Sequence, residues 1–276
     1  MNFFIRSLSL LLPAMAAFCC STQQPEEATK VLKILAIGNS FSSDAVDQIL
    51  YELFQAAGYT VVIGDIHATG SSLEDHWNRA RSREAAYDYT KIVGGKSSVR
   101  EKVVLDDILA DEDWTVVTLQ QASSGSDKYE TYLPLAKDLK DYIAARTRAE
   151  VYWHQTWSYG NSAFENEVDR TQQSMYEAIA EASRKVVEEV GLAGVIPTGT
   201  AVQNARGKAG DVFNRDYLHL QEDHGRYLAA CTWFEALGGT SVVGNPYHPK
   251  SVSPEMALLC QQAAHDACMN PYSVTP

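Results

Sequence analysis

Three residues have types and spacing that can do acyl-transfer chemistry. Ser40 follows a short apolar run in "ILAIGNSFSSDAV" (Ile34 to Val46), where the chain leaves a strand through a glycine and immediately presents a hydroxyl. Asp216 and His219 lie far downstream, three apart, in "FNRDYLHLQEDHG". A serine hydroxyl is a poor nucleophile until a base takes its proton, and the base needs a partner that orients its ring. A D-x-x-H turn can set the carboxylate against one imidazole nitrogen and leave the other facing outward. The plainer reading of Ser40 alone is a helix cap beside a needed glycine, and that of Asp216 and His219 is a loop ion pair of little energetic weight. Taken together, the three favour a nucleophile with its base. His224 competes for the base, but Asp-His-Gly at a helix start reads better as a cap.

Positioning these groups takes a sheet. Strand-like runs at Val31–Ile37, Tyr59–Ile66, "DWTVVTLQQ", "AEVYWHQTW" and "GLAGVIPTG" alternate with helical patterns at Asp44–Ala57, Leu133–Thr147, Glu165–Val190 and Arg226–Leu237. Such alternation predicts right-handed crossovers and a three-layer α/β/α sandwich around a central five-stranded parallel sheet. Ligands of open parallel sheets bind outside the carboxyl ends of the strands. Those ends deliver Gly38-Asn39-Ser40, His67, Thr69 and Gly70, Gln120, Gln121, Ser123 and Ser124, His154 and Gln155, and Thr198 and Thr200. The rim is therefore rich in amides and hydroxyls, and it has no glycine-rich phosphate loop. Leu73 to Asp111 is a long polar connection, read as helical material walling a cleft. Trp153 and Trp157 read either as a sugar-stacking platform or as core and rim aromatics.

The blocks "IGNSFS", "TGSSL", a polar amide after the third strand, and D-x-x-H near the C-terminus together resemble the SGNH (GDSL-like) hydrolase superfamily. "LQQAS" and "HLQEDHGRYLAA" resemble an exported bacterial branch of it whose function is largely unassigned. The resemblance implies a flavodoxin-like SGNH hydrolase fold. It also implies a serine esterase that works through an acyl-enzyme, with Ser40 as nucleophile, His219 as general base and then acid, and Asp216 orienting His219. The oxyanion hole it implies comprises the backbone N–H groups of Ser40 and Gly70 and a side-chain amide from the third strand. The usual aspartate of the first block is Asn39 here, and the usual asparagine of the third is Gln120-Gln121. The strand ends near Gln121, which is therefore the expected donor, with Gln120 second. Alternation along a strand lets only one of them face the cleft.

The totals set limits. A chain of 276 residues with 45% hydrophobic and 21% charged residues is globular, and one domain over 31–276 suffices. A net charge of -12 with no basic block argues against a nucleic-acid partner. Residues 1–20 have the shape of an export signal, and Cys19-Cys20 resembles a lipoprotein cleavage site; residues 21–30 read as a tether. The expected location is periplasmic or cell-surface, as a lipoprotein touching the membrane only through its lipid, or otherwise secreted. Cys231, Cys260 and Cys268 are an odd count, so at least one thiol stays unpaired. No Cys/His spacing resembles a metal site, and neither metal nor cofactor is expected. The expected substrate is a small acyl ester, acetyl on a carbohydrate. Lipid or lysophospholipid ester hydrolysis, and a non-catalytic glycan-binding module on the same fold, are the rival readings.

Overall fold

The protein is represented by a computed structural model that describes Met1 and residues 30–47 and 49–276. The expected export signal and the Cys19-Cys20 pair lie outside the described residues.

Seven strands form one sheet: β1 (Val31–Ile37), β2 (Thr60–His67), β3 (Tyr87–Val93), β4 (Lys96–Val103), β5 (Val116–Leu119), β6 (Glu150–His154) and β7 (Gly194–Ile196). Their order is β4-β3-β2-β1-β5-β6-β7. The run β2-β1-β5-β6-β7 is parallel throughout and contains the five strands expected from the sequence. Each parallel crossover carries helical material, as parallel strands require.

The side-chain alternation of β1 builds two cores. Ile34 and Ala36 face one layer, which holds α1 (Ser40–Val46), α2 (Leu50–Ala56), α7 (Thr198–Ala209), α8 (His224–Gly238) and α9 (Pro254–Met269). Leu35 and Ile37 face the other, which holds α3 (Leu73–Ser82), α4 (Leu105–Leu109), α5 (Leu135–Ala144) and α6 (Gln172–Val190). All four β1 residues are fully buried, which explains why the strand reads as a continuous apolar run.

Three departures from the sequence reading have physical causes. The polar connection from Leu73 to Asp111 holds α3 and α4 as anticipated, and between them the antiparallel hairpin β3–β4, which extends the sheet at one edge. Its turn is Gly94-Gly95, both at positive φ, a two-residue hairpin signature. β4 is exposed along nearly its whole length and carries Lys96, Arg100, Glu101 and Lys102, so no apolar periodicity betrays it. Charges on an edge strand discourage pairing with other chains. The second departure is at Asp44–Ala57, which is two helices: α1 starts at Ser40 itself and ends at Val46, with the Asp47 N–H closing on the Ser43 carbonyl. The third is α7 and α9, which sequence reasoning did not single out. α9 has Ser253 as its cap and Pro254 in its first turn. It carries Cys260 and Cys268 on one helix, and these two and Cys231 are free thiols.

Ile34 sits at the centre of the sheet, paired with Ile63 of β2 and Val116 of β5. Ile34→Ala should destabilise the domain by about 2–5 kcal/mol through lost transfer energy and an unfilled cavity, read as a lowered midpoint in urea at unchanged m-value.

Candidate active site

The β1–α1 turn brings Ser40 to the carboxyl end of the sheet. Gly38 is needed there because a Cβ at 38 would fall 2.1 Å from Ser42 Oγ and 2.8 Å from the Gln120 side chain. Asn39 caps α1, its Oδ1 accepting from the Phe41 N–H at 3.0 Å. The plain reading of the turn as a capped helix start is therefore correct, but the cap is Asn39. The Ser40 hydroxyl is free for other partners.

Its partner is His219, with Ser40 Oγ 3.1 Å from His219 Nε2 across 179 positions of chain. His219 Nδ1 lies 3.0 Å from Asp216 Oδ2. The other oxygen, Asp216 Oδ1, accepts the backbone N–H groups of Leu218 (2.7 Å) and His219 (2.6 Å). Burial pushes the Asp216 carboxyl up, but the His219 and Leu218 donors outweigh it and hold the group below the usual carboxylate range. An ionised Asp216 accepts from Nδ1–H, which leaves Nε2 as the acceptor for the serine proton. His224 lies elsewhere, its Nε2 on the Val212 carbonyl and its N–H on Gln221.

Several contacts that sequence reasoning missed hold the 214–220 loop against α1. Asp44 is buried one turn after Ser40. Its Oδ2 accepts the Leu220 N–H at 3.0 Å, and its Oδ1 accepts Arg226 at 2.8 Å and Arg215 at 3.3 Å. Arg215 also donates to the Leu220 carbonyl at 2.7 Å and pairs its own N–H with the His219 carbonyl. Trp157 donates its indole N–H to the Leu218 carbonyl at 2.9 Å and lies flat on Phe41, with ring centroids 4.1 Å apart. The Gly160 N–H donates to the Tyr217 carbonyl. An acid four positions after a candidate nucleophile, one turn along the same helix, was the available signal.

Trp153 and Trp157 are 1% and 0% exposed, so neither can form a sugar-stacking platform. Trp153 packs in the core and donates to Ser183 Oγ, while Trp157 braces the loop.

The expected oxyanion donors divide. Ser40 is the first residue of α1, so its N–H has no acceptor within the helix. Gly70 is exposed, at φ +66, with nothing within 4 Å of where a Cβ would stand. Its loop is tied to the first block by Asn39 Nδ2, which donates to the Ser71 carbonyl at 3.0 Å. Gln121 is a correction. It is buried, and Nε2 donates to the carbonyl and hydroxyl of Thr131 while Oε1 accepts the Leu73 and Ala122 N–H groups. Gln120 is equally engaged: Nε2 donates to Asn39 Oδ1 at 2.8 Å, and Oε1 accepts from Ser42 and His154. Burial pushes His154 down to about 3, so the ring is neutral, with one nitrogen on Gln120 and the other on Thr198. Both glutamines thus brace their surroundings, Gln120 through the side chains of Asn39, Ser42 and His154, and Gln121 through Thr131 and the Leu73 and Ala122 backbone.

A cleft of about 510 Å³ opens between the Ser72–Glu74 and Gln121–Leu135 segments, with Ser72, Glu74, Ser124, Lys128 and Glu130 among its lining residues. Among the described residues, no group of three or more His, Cys, Asp and Glu side chains is arranged to hold a metal ion.

A family model described as "Domain of unknown function (DUF4886)" matches residues 33–267. A crystal structure of a DUF4886 family protein from Bacteroides uniformis is 42% identical, with a TM-score of 0.86, covering 89% of this chain and 98% of that one. A candidate SGNH hydrolase from Slackia heliotrinireducens is 19% identical with a TM-score of 0.53, covering 75% of this chain and 98% of its own. The lipase/acylhydrolase from Enterococcus faecalis is 17% identical with a TM-score of 0.51, covering 75% and 96%. These two likenesses establish the SGNH hydrolase fold. No curated protein matches the chain.

Asp44→Ala should cost about 3–5 kcal/mol, because two arginines and the Leu220 N–H would lose the carboxylate buried among them, checked by urea unfolding. In the same variant the His219 ring resonances should broaden or shift while those of His265, distant on α9, stay in place.

Proposed function

The chain belongs to the DUF4886 family, and on that premise we propose that it is a serine ester hydrolase acting through a Ser40–His219–Asp216 triad and an acyl-enzyme. One observation carries the reading: Ser40 Oγ, His219 Nε2, His219 Nδ1 and Asp216 Oδ2 form an unbroken chain with contacts of 3.1 and 3.0 Å. Both are hydrogen-bonding distances in the absence of substrate.

In this reading His219 Nε2 takes the Ser40 proton as Oγ attacks the ester carbonyl. The tetrahedral oxyanion forms between the N–H groups of Ser40 and Gly70. The imidazolium, stabilised by Asp216, returns the proton to the departing alkoxide. Water then repeats the sequence and releases the acid. With Gln120 and Gln121 engaged elsewhere, the hole rests on two backbone donors, and one such donor is typically worth about 100- to 1000-fold in rate.

The substrate we propose is a small acyl ester, acetyl for preference, on a carbohydrate. The cleft that opens past the Gly70–Ser72 loop mixes Glu74, Lys128, Glu130 and serines with Ala122, Leu133, Pro134 and Leu135, and the choice of a polyhydroxylated alcohol over a fatty chain rests on the charged and hydroxyl part of that lining. Export, with attachment to the membrane through a lipidated Cys19 or Cys20, is part of the same proposal and rests on the sequence of residues 1–20.

A short aryl acetate and a panel of acetylated polysaccharides and phospholipids test this reading. Ser40→Ala should lower kcat by roughly 10⁴- to 10⁶-fold, and a fluorophosphonate should label Ser40 in the wild type but not in His219→Ala. Turnover surviving in Ser40→Ala would remove the nucleophile, and turnover of phospholipid alone would remove the carbohydrate. A second prediction concerns the loop donor: Gly70→Ala meets no steric obstacle but must hold a left-handed φ, so kcat should fall more than KM rises, measured on the same acetate.

A further inference from the structure

Beneath α1, on the face of β2 turned toward it, lies a group of polar side chains that the triad does not use. Asp65 is 1% exposed and lies in β2. Asp47 caps the end of α1. Each carboxyl has one oxygen, Oδ1, that is buried without any hydrogen-bond partner, although the two side chains contact each other. Burial and the neighbouring Asp47 charge push Asp65 well above the usual carboxylate range, and burial pushes Asp47 up to about 6. The cations facing the pair do not neutralise it. Arg226 of α8 is engaged by Asp44, and Asp44 itself adds a further negative charge from α1. His67 of β2 is the remaining titratable neighbour.

Two ionised carboxylates in contact would leave both orphan oxygens desolvated and repelling. One proton between them satisfies both, since a protonated carboxyl donates and an ionised one accepts. From there an ordered chain runs outward. Ser43 Oγ lies 2.6 Å from Asp65 Oδ2, to which it donates. Ser43 has a single proton, so its contact with His67 Nδ1 at 3.1 Å requires that ring nitrogen to donate. His67 Nε2 faces Thr69 Oγ1 at 3.2 Å. Thr69 is exposed and adjoins Gly70.

We propose that Asp47 and Asp65 hold one proton between their Oδ1 atoms, and that this buried pair, acting through Ser43 and His67, positions the Thr69–Gly70 segment at the rim of the cleft. Asp65 is thus a positioning residue. The consequence for catalysis rests on the oxyanion role proposed for Gly70; the shared proton does not. Because both carboxyls titrate above their unfolded values, the folded state binds more protons than the unfolded chain. The pair's contribution to stability is therefore fully present in acid and is lost as pH rises, first through the Asp47 value of about 6 and further as Asp65 ionises.

Asp65→Asn tests this directly. Its carboxamide has the shape of the protonated acid, accepts from Ser43 and donates to Asp47 Oδ1 at every pH. The expected result is a variant more stable than wild type at about pH 9, with the gain shrinking toward about pH 5, while Asp65→Ala is less stable at both. In wild type the Thr69 and Gly70 amide resonances should shift as the pair titrates, followed by isotope-labelled aspartate, and in Asp65→Asn they should not. On a short aryl acetate the alkaline limb of kcat should move to higher pH in Asp65→Asn with KM unchanged. An Asp65→Asn protein as unstable as Asp65→Ala at both pH values, or labelled carboxyls both ionised at neutral pH, would overturn the shared proton. Thr69 and Gly70 resonances indifferent to the pair's titration would overturn the positioning role. A wild type inactive on every ester, yet showing the titration and the linked shifts, would support the pair and sink only the esterase reading.

Discussion

The site depends on one buried carboxylate. Asp44 belongs to the helix that begins with Ser40, and it receives Arg215, Arg226 and the Leu220 N–H from the part of the chain that carries His219. The Ser40–His219 contact joins residues 179 apart. A hydroxyl–imidazole hydrogen bond contributes only about 1 kcal/mol net, too little to order a loop by itself. A buried carboxylate shared by two half-buried guanidinium groups and a buried backbone N–H differs in kind, because removing it would leave all three donors without their acceptor. The alignment of nucleophile and base is thus inherited from an ion cluster one helical turn away.

A second layer of constraint lies beneath the nucleophile. Asn39 is held by Gln120, Gln120 by His154 and His154 by Thr198, so the ends of β1, β5, β6 and β7 are linked laterally under the rim. On the other side His76, which burial pushes down to about 4 and so keeps neutral, has one ring nitrogen 3.0 Å from the Gly38 carbonyl and the other on Tyr87. Buried polar groups of this kind are stabilising only when fully paired, and paired networks rigidify what they touch. Substituting glutamine for a shorter amide in the third block fits this role. The longer arm reaches Asn39 or Thr131, where a shorter side chain would stop near the cleft.

The same side-chain economy explains where the sequence misleads. Trp157 can be read as half of a sugar-stacking platform because it follows a strand end, yet it is buried, flat on Phe41 with its indole N–H on the His219 loop. Gln121 looks like an oxyanion donor because it ends a strand, yet its amide closes the turn that runs to Thr131. In both cases the backbone position was readable and the rotamer was not, since rotamers are chosen by neighbours from distant segments.

Period-two and period-3.6 patterns are local, so the five parallel strands, most helices and the layered α/β arrangement could be read from residue order. The β3–β4 hairpin escaped because an exposed, charged edge strand has no apolar alternation, and only Gly94-Gly95 marked it. D-x-x-H is likewise a local device: a three-residue spacing that lets one carboxylate take both a ring nitrogen and two backbone N–H groups. What no local pattern contains is the pairing across the chain. Only the tertiary structure could decide that Asp44 receives Arg215 and Arg226, that both glutamine amides are spent on neighbouring segments, and that Asp47 meets Asp65. Those contacts depend on packing distances between segments, and residue order alone carries no distance.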